Sequence, residues 1–128
     1  MSDWKTPLRL VEQLDKKGNI HEKGVKKLVS AVAEASELGE KLGCAEFIAF
    51  ATSAVRSAPN SEEVLDEVEK QTGVRLQILS GVEEAQLTFL AARRWYGWSA
   101  GRITNLDIGG GSLELSTGTD EHPDLAFS

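Results

Sequence analysis

This 128-residue chain has little that would serve as a staple, a membrane span or a nucleic-acid surface. Its only cysteine, Cys44, cannot form an intrachain disulfide and has no activating base nearby in sequence, so it reads as structural. The two histidines, His21 and His122, sit in loop-like surroundings and lack the spacing of metal ligands. No apolar run approaches the length a membrane span requires. Cations are outnumbered by acids, 14 to 20 for a net charge of -6, which argues against a surface built to neutralise nucleic-acid phosphates. No cationic and apolar leader occupies residues 1–10, so the expected setting is the cytoplasm. A phosphate-handling site in such a chain would need a metal or a few placed cations. What remains, 41% apolar and 27% charged residues, is an ordinary composition for a soluble domain with a core.

Apolar and polar spacing predicts an α/β order of helix, strand, helix, strand, helix, strand, strand, with a largely parallel sheet. Residues 8–14 alternate loosely and read as a short strand ending at the turn-like Asp15-Lys16-Lys17-Gly18-Asn19. Val25, Leu28, Val29, Val32, Ala35, Gly39 and Leu42 follow helical spacing over residues 22–42, with Gly43 as the stop. Residues 46–52 form a short apolar run expected in a strand covered on both faces. Asn60 with Glu63 resembles a capping box for a helix ending at Gly73, and residues 75–79 are strand-like. Ser80 with Glu83 is a second capping box, for a helix over residues 81–96. Strands over residues 102–108 and 112–117 flank three glycines. The aromatic residues Trp4, Trp95, Tyr96 and Trp98 read as packing or interface groups. Both ends look cut, because a helix follows almost at once and residues 124–128 stop at what resembles the start of a strand. The expectation is one contiguous piece of a larger domain.

Three segments carry the chemistry. In Asp107-Ile108-Gly109-Gly110-Gly111-Ser112 a carboxylate ends an apolar strand directly before a flexible, side-chain-free backbone. Gly109, Gly110 and Gly111 can take positive φ and turn consecutive N–H groups toward a phosphate, with Asp107 on the same rim to hold Mg²⁺ directly or through water. A tight hairpin would also use Gly-Gly, but three glycines between Asp and Ser exceed what a turn needs. By period two, Ser112, Glu114 and Ser116 share one strand face, so Glu114 points toward the ligand side or is an exposed strand acid. In Ala51-Thr52-Ser53-Ala54-Val55-Arg56, small hydroxyl residues and a cation follow a strand's carboxyl end, where α/β sheets place ligands. Arg56 could grip a phosphate bidentately or be a solvated loop arginine. In Ser80-Gly81-Val82-Glu83-Glu84-Ala85, the cap explains Glu83, and Glu84 is either an acid beside a helix start or a base. A cation, a candidate base and a metal site at one rim are the parts needed for attack of water on a phosphoryl group.

In order and spacing, these three motifs closely resemble the exopolyphosphatase and guanosine pentaphosphate phosphohydrolase family, of the actin-like, ribonuclease H-like ATPase superfamily. The resemblance covers nearly the whole chain, including the Leu-Asp-Lys-Lys-Gly-Asn-Ile stretch before the first helix. It implies Glu84 as general base, Arg56, Gly109, Gly110, Gly111 and Ser112 as phosphate binders, and Asp107 and Glu114 as ligands for Mg²⁺. It also implies inorganic polyphosphate or guanosine pentaphosphate as substrate, and a homodimer for the intact protein. Leu113 stands where the family usually has threonine, and Val82 where a polar residue is common; neither touches the named roles. The family's first phosphate loop is expected upstream of Trp4, so the chain reads as a partial first actin-like domain. As a fragment it is expected to be inactive alone, and to self-associate through an unpaired sheet edge and exposed apolar surface. Retention of Glu84 argues against a non-catalytic sensing module. The Ser-Gly-x-Glu-Glu-Ala signature argues against a kinase or ATPase.

Overall fold

Helical spacing of apolar residues produces α1 (Glu22–Lys41), which buries Gly24, Leu28, Ala31 and Val32 along one stripe. In the computed structural model, which describes residues 3–128, α1 belongs to the first of two units, Met1–Ile78 and Leu79–Ser128. Gly24 is obligatory there, since a Cβ would stand 2.8 Å from both Gln13 Cβ and Ile20 Cγ2. Gly43 ends the helix in the left-handed region at φ 69°, as expected of a stop.

The stripe of α1 packs against α3 (Ser61–Thr72), whose Val64, Leu65 and Val68 are buried with Ile20, Leu28, Val32, Ala51 and Val55. Gly73 closes α3 at φ 72°. The expected Asn60–Glu63 capping box does not form. Asn60 instead accepts from Ile20 N at 2.9 Å through Oδ1 and donates to Ile20 O at 2.9 Å through Nδ2. Ile20 is only 2% exposed, so its backbone would otherwise be buried without partners, a larger cost than an open helix end reached by water.

Two further expectations in this unit need correction. Residues 8–14 form a 3-10 turn, Leu10–Gln13, and a single bridge from Leu14 to Ile20, rather than a strand. The run 46–52 gives only a two-residue strand, β1 (Phe50–Ala51), parallel to β2 (Gln77–Ile78), while Phe47 and Ile48 are exposed. Between them lie α3 and a single helical turn, α2 (Ser53–Arg56), where the sequence had suggested a loop.

The second unit is α4 (Gly81–Tyr96) on an antiparallel meander of β3 (Ile103–Ile108), β4 (Leu113–Gly118) and β5 (Leu125–Phe127). The expected largely parallel sheet is therefore not what forms: parallel pairing is confined to β1 and β2. The reason is local. Gly109 N donates to Ser112 O at 3.0 Å across a Gly110-Gly111 turn, and strands joined so tightly can only run antiparallel. Phe89 is fully buried against Gly118, where a Cβ would meet Pro123 Cα at 2.9 Å and Phe89 Cζ at 3.1 Å.

Candidate active site

Strand register sets the first part of the site. Asp107 and Glu114 are direct cross-strand partners, one step from the Ile108–Leu113 pair that precedes the glycine turn. Gly109 keeps ordinary backbone; the left-handed glycines are Gly18, Gly43, Gly73, Gly97 and Gly101, so positive φ at Gly109 is not used. Its missing side chain matters for space, since a Cβ would lie 3.3 Å from Ser112 Oγ. Gly109, Gly110 and Gly111 are all exposed.

Glu114 is not an exposed strand acid. It is 1% exposed; Ser128 Oγ donates to its Oε1 at 3.3 Å, and its Oε2 is buried with no hydrogen-bond partner among the described residues. Ser112 Oγ, just before β4, and Ser116 Oγ within it are orphaned in the same way among the described residues, so alternate positions 112, 114 and 116 carry three unsatisfied oxygens on the face that period two assigned them. Two carboxylates directly opposite each other repel, and orphaned buried acceptors are costly, so this arrangement suits a cation. Among the described residues no three His, Cys, Asp or Glu side chains gather as a metal cluster. A pair of carboxylates nonetheless fits Mg²⁺, which keeps several waters and takes further oxygens from substrate phosphates.

The second part is the start of α4. Ser80 Oγ accepts from Glu83 N at 3.2 Å, while Glu83 Oε2 accepts from Ser80 N at 2.8 Å and Ser80 Oγ at 2.7 Å, completing the expected capping box. The Ser80 hydroxyl, then the Ser80 N–H, hold the Glu83 carboxyl below the usual glutamate range. Glu84 donates its N–H to Ser80 O at 2.9 Å and is half-buried. Its helix is tied to the sheet by Asn105 Nδ2, which donates to Thr88 Oγ1 at 3.2 Å. Glu84 precedes Thr88 by one turn, about 6 Å. Asp107 follows Asn105 by two residues, about 6.6 Å along β3 and away from the Gly118 end where Arg93 anchors the helix. Glu84 and Asp107 thus lie on the same side of the Asn105–Thr88 tie, away from the Gly118 end.

Arg56 lies in the first unit, half-buried at the end of α2 just beyond β1; the other candidates all belong to the second. Sequence reasoning missed Arg93. It is 1% exposed, donates to the carbonyls of Gly97 (3.3 Å), Gly101 (2.7 Å) and Gly118 (2.9 Å), and stands 5.7 Å from the ring centroids of Phe89 and Trp98. A signal existed, because Ala85, Phe89 and Arg93 recur every four residues and the first two are core residues.

A profile of the Ppx/GppA phosphatase family matches residues 1–128. The chain belongs to the Ppx/GppA phosphatase family. This Ppx/GppA chain is 60% identical over its whole length to Exopolyphosphatase 1 of Mycobacterium leprae, covering 38% of that protein. Against Exopolyphosphatase 1 of Mycobacterium tuberculosis the identity is 59%, with 37% of that protein covered. Among solved structures, an exopolyphosphatase from Cytophaga hutchinsonii superposes with a TM-score of 0.90 at 24% identity, over 99% of this chain and 41% of the other. An Aquifex aeolicus Ppx/GppA family member gives 0.79 at 23%, over 94% and 39%. Both likenesses concern the fold. No helix among the described residues is long and apolar enough to cross a membrane.

Proposed function

We propose that this chain carries part of the catalytic centre of a phosphoanhydride hydrolase, acting in the cytoplasm, that releases terminal phosphate from inorganic polyphosphate. The observation that carries this reading is the buried Glu114 opposite half-buried Asp107 beside an exposed glycine turn, with the helix whose first turn carries the candidate base Glu84 tied through Thr88 to the strand that carries Asp107. Relatives named exopolyphosphatase at 59–60% identity support it. An actin-like parent fold, of which this chain is a part, is the architecture we infer. Arg56 and the Gly109–Ser112 turn would bind phosphate oxygens. Asp107 and Glu114 would hold Mg²⁺, which when bound supplies positive charge against those oxygens. Glu84 takes a proton from water as the water oxygen bonds to the terminal phosphorus. The bond from that phosphorus to the bridging oxygen breaks, and the oxygen leaves with the electron pair on a chain shorter by one phosphate.

The test is phosphate release by the full-length protein from polyphosphate and from guanosine pentaphosphate, with and without Mg²⁺. Mg²⁺-dependent release from polyphosphate is expected. Release from guanosine pentaphosphate alone would move the substrate assignment, and release from neither would overturn the reading. Asp107→Asn should weaken Mg²⁺ dependence and activity together; an unchanged Mg²⁺ titration would remove Asp107 from the site.

A further inference from the structure

The tie between α4 and β3 is built from two residues with no assigned role. Asn105 Nδ2 donates to Thr88 Oγ1 at 3.2 Å, and Thr88 Oγ1 in turn donates to Glu84 O at 3.1 Å, with Ala85 O next at 3.3 Å. Threonine commonly returns its hydroxyl to the carbonyl four residues back within a helix, without tertiary consequence. Here the same hydroxyl also accepts an amide from the neighbouring strand, so the backbone of the candidate base is linked to the strand that carries Asp107. Asn105 and Asp107 share one face of β3, alternate with exposed Thr104 and Leu106, and stand opposite Ser116 and Glu114.

Packing alone holds this end of α4 weakly. Toward the helix C-terminus, Arg93 grips three carbonyls and Phe89 fills the space over Gly118. Toward the N-terminus the buried stripe offers only the methyl group of Ala85, which has little shape to resist sliding along the sheet. We propose that Asn105 and Thr88 are positioning residues that fix Glu84 against the Asp107–Glu114 pair. The inference rests on Glu84 acting as the base. A displacement of about 1 Å at a reacting group is enough to cost about 10²-fold in rate, so a single hydrogen-bonded tie can govern turnover without touching substrate.

The experiment uses Thr88→Val, Thr88→Ser and Asn105→Ala in the full-length protein, with kcat, KM for polyphosphate, thermal unfolding and amide hydrogen exchange as readouts. Thr88→Val and Asn105→Ala should each lower kcat by about 10- to 100-fold with KM little changed, the range expected when a near-attack geometry loosens. Thr88→Ser, which keeps the hydroxyl, should restore most of the rate. The double variant should be no worse than either single one, since both break the same chain of bonds. Exchange should rise in the first turn of α4 in Thr88→Val and Asn105→Ala and not in Thr88→Ser. Unchanged kcat in Thr88→Val, equal losses in Thr88→Ser and Thr88→Val, or a lowered melting temperature with intact kcat would overturn the proposal. If the unmodified protein releases no phosphate, the catalytic reading fails on its own. The tie is then judged by exchange, and unchanged exchange at the start of α4 overturns it.

Discussion

At Glu83 the carboxylate is committed to the helix start, held by the N–H and hydroxyl of Ser80 and kept ionised by them. One residue on, Glu84 is turned by about 100° on the helix and is half-buried. The two neighbours should therefore respond differently to the same substitution. Glu84→Gln should lower kcat by about 10²–10⁴-fold, the usual contribution of a general base, with polyphosphate affinity little changed. Glu83→Gln keeps an acceptor for Ser80 and should leave kcat nearly intact with a small loss of stability. Steady-state phosphate release and equilibrium binding on the two variants check this. A crippled Glu83→Gln beside a normal Glu84→Gln would reverse the assignment. Both carboxylates and the cap were legible in sequence because the box is defined by spacing alone. The burial of Glu114 was not, because alternation gives the face of a residue but not what covers it.

The helices of this chain are mostly local products and the strands are not. α1, α3 and α4 end at glycines and bury stripes that recur every three to four residues, so their spans are readable from sequence. A strand becomes one only by pairing, and the run over 46–52 finds a partner for just Phe50 and Ala51. In the meander, close packing of α4 depends on Gly118, whose missing side chain leaves room for Phe89, Pro123 and Asp124. Gly118→Ala should cost about 1–3 kcal/mol, the usual range for overpacking, because two of the three neighbours are main-chain atoms that cannot rotate away. Chemical denaturation with an unchanged m-value would measure it. A loss below a few tenths of a kcal/mol would mean that the β4–β5 turn yields.

At the scale of the whole molecule, the meander is inverted relative to a usual surface sheet. Its polar residues Asn105, Asp107, Glu114 and Ser116 share the α4 face, while Leu106, Ile108, Leu113, Leu115, Leu125 and Phe127 are exposed. Register gathers Leu106, Leu115 and Phe127 in one row across the three strands, and β3 and β5 are open edges. Such a contiguous apolar face with unpaired edges promotes association. The 128-residue chain should sediment faster than a monomer at micromolar concentration, and Leu106→Lys should return it toward the monomer. A monomeric unmodified chain with low dye binding would count against this.

Local patterns in the sequence, which failed for the Asn60 cap and for α2, were enough for the spans of α1, α3 and α4, their glycine stops, the Ser80–Glu83 cap, and the order of the candidate residues. Each of these depends on spacing within a few positions: the 3.6-residue turn, a hydroxyl three residues before a carboxylate, a glycine where a Cβ would clash. Tertiary structure decided the direction and length of the strands, the use of Asn60 on Ile20, the carbonyls taken by Arg93, and the burial of Glu114 opposite Asp107. These rest on partners far along the chain, where a buried polar group bonds to whatever the fold brings within about 3 Å, and no local pattern fixes which group that will be.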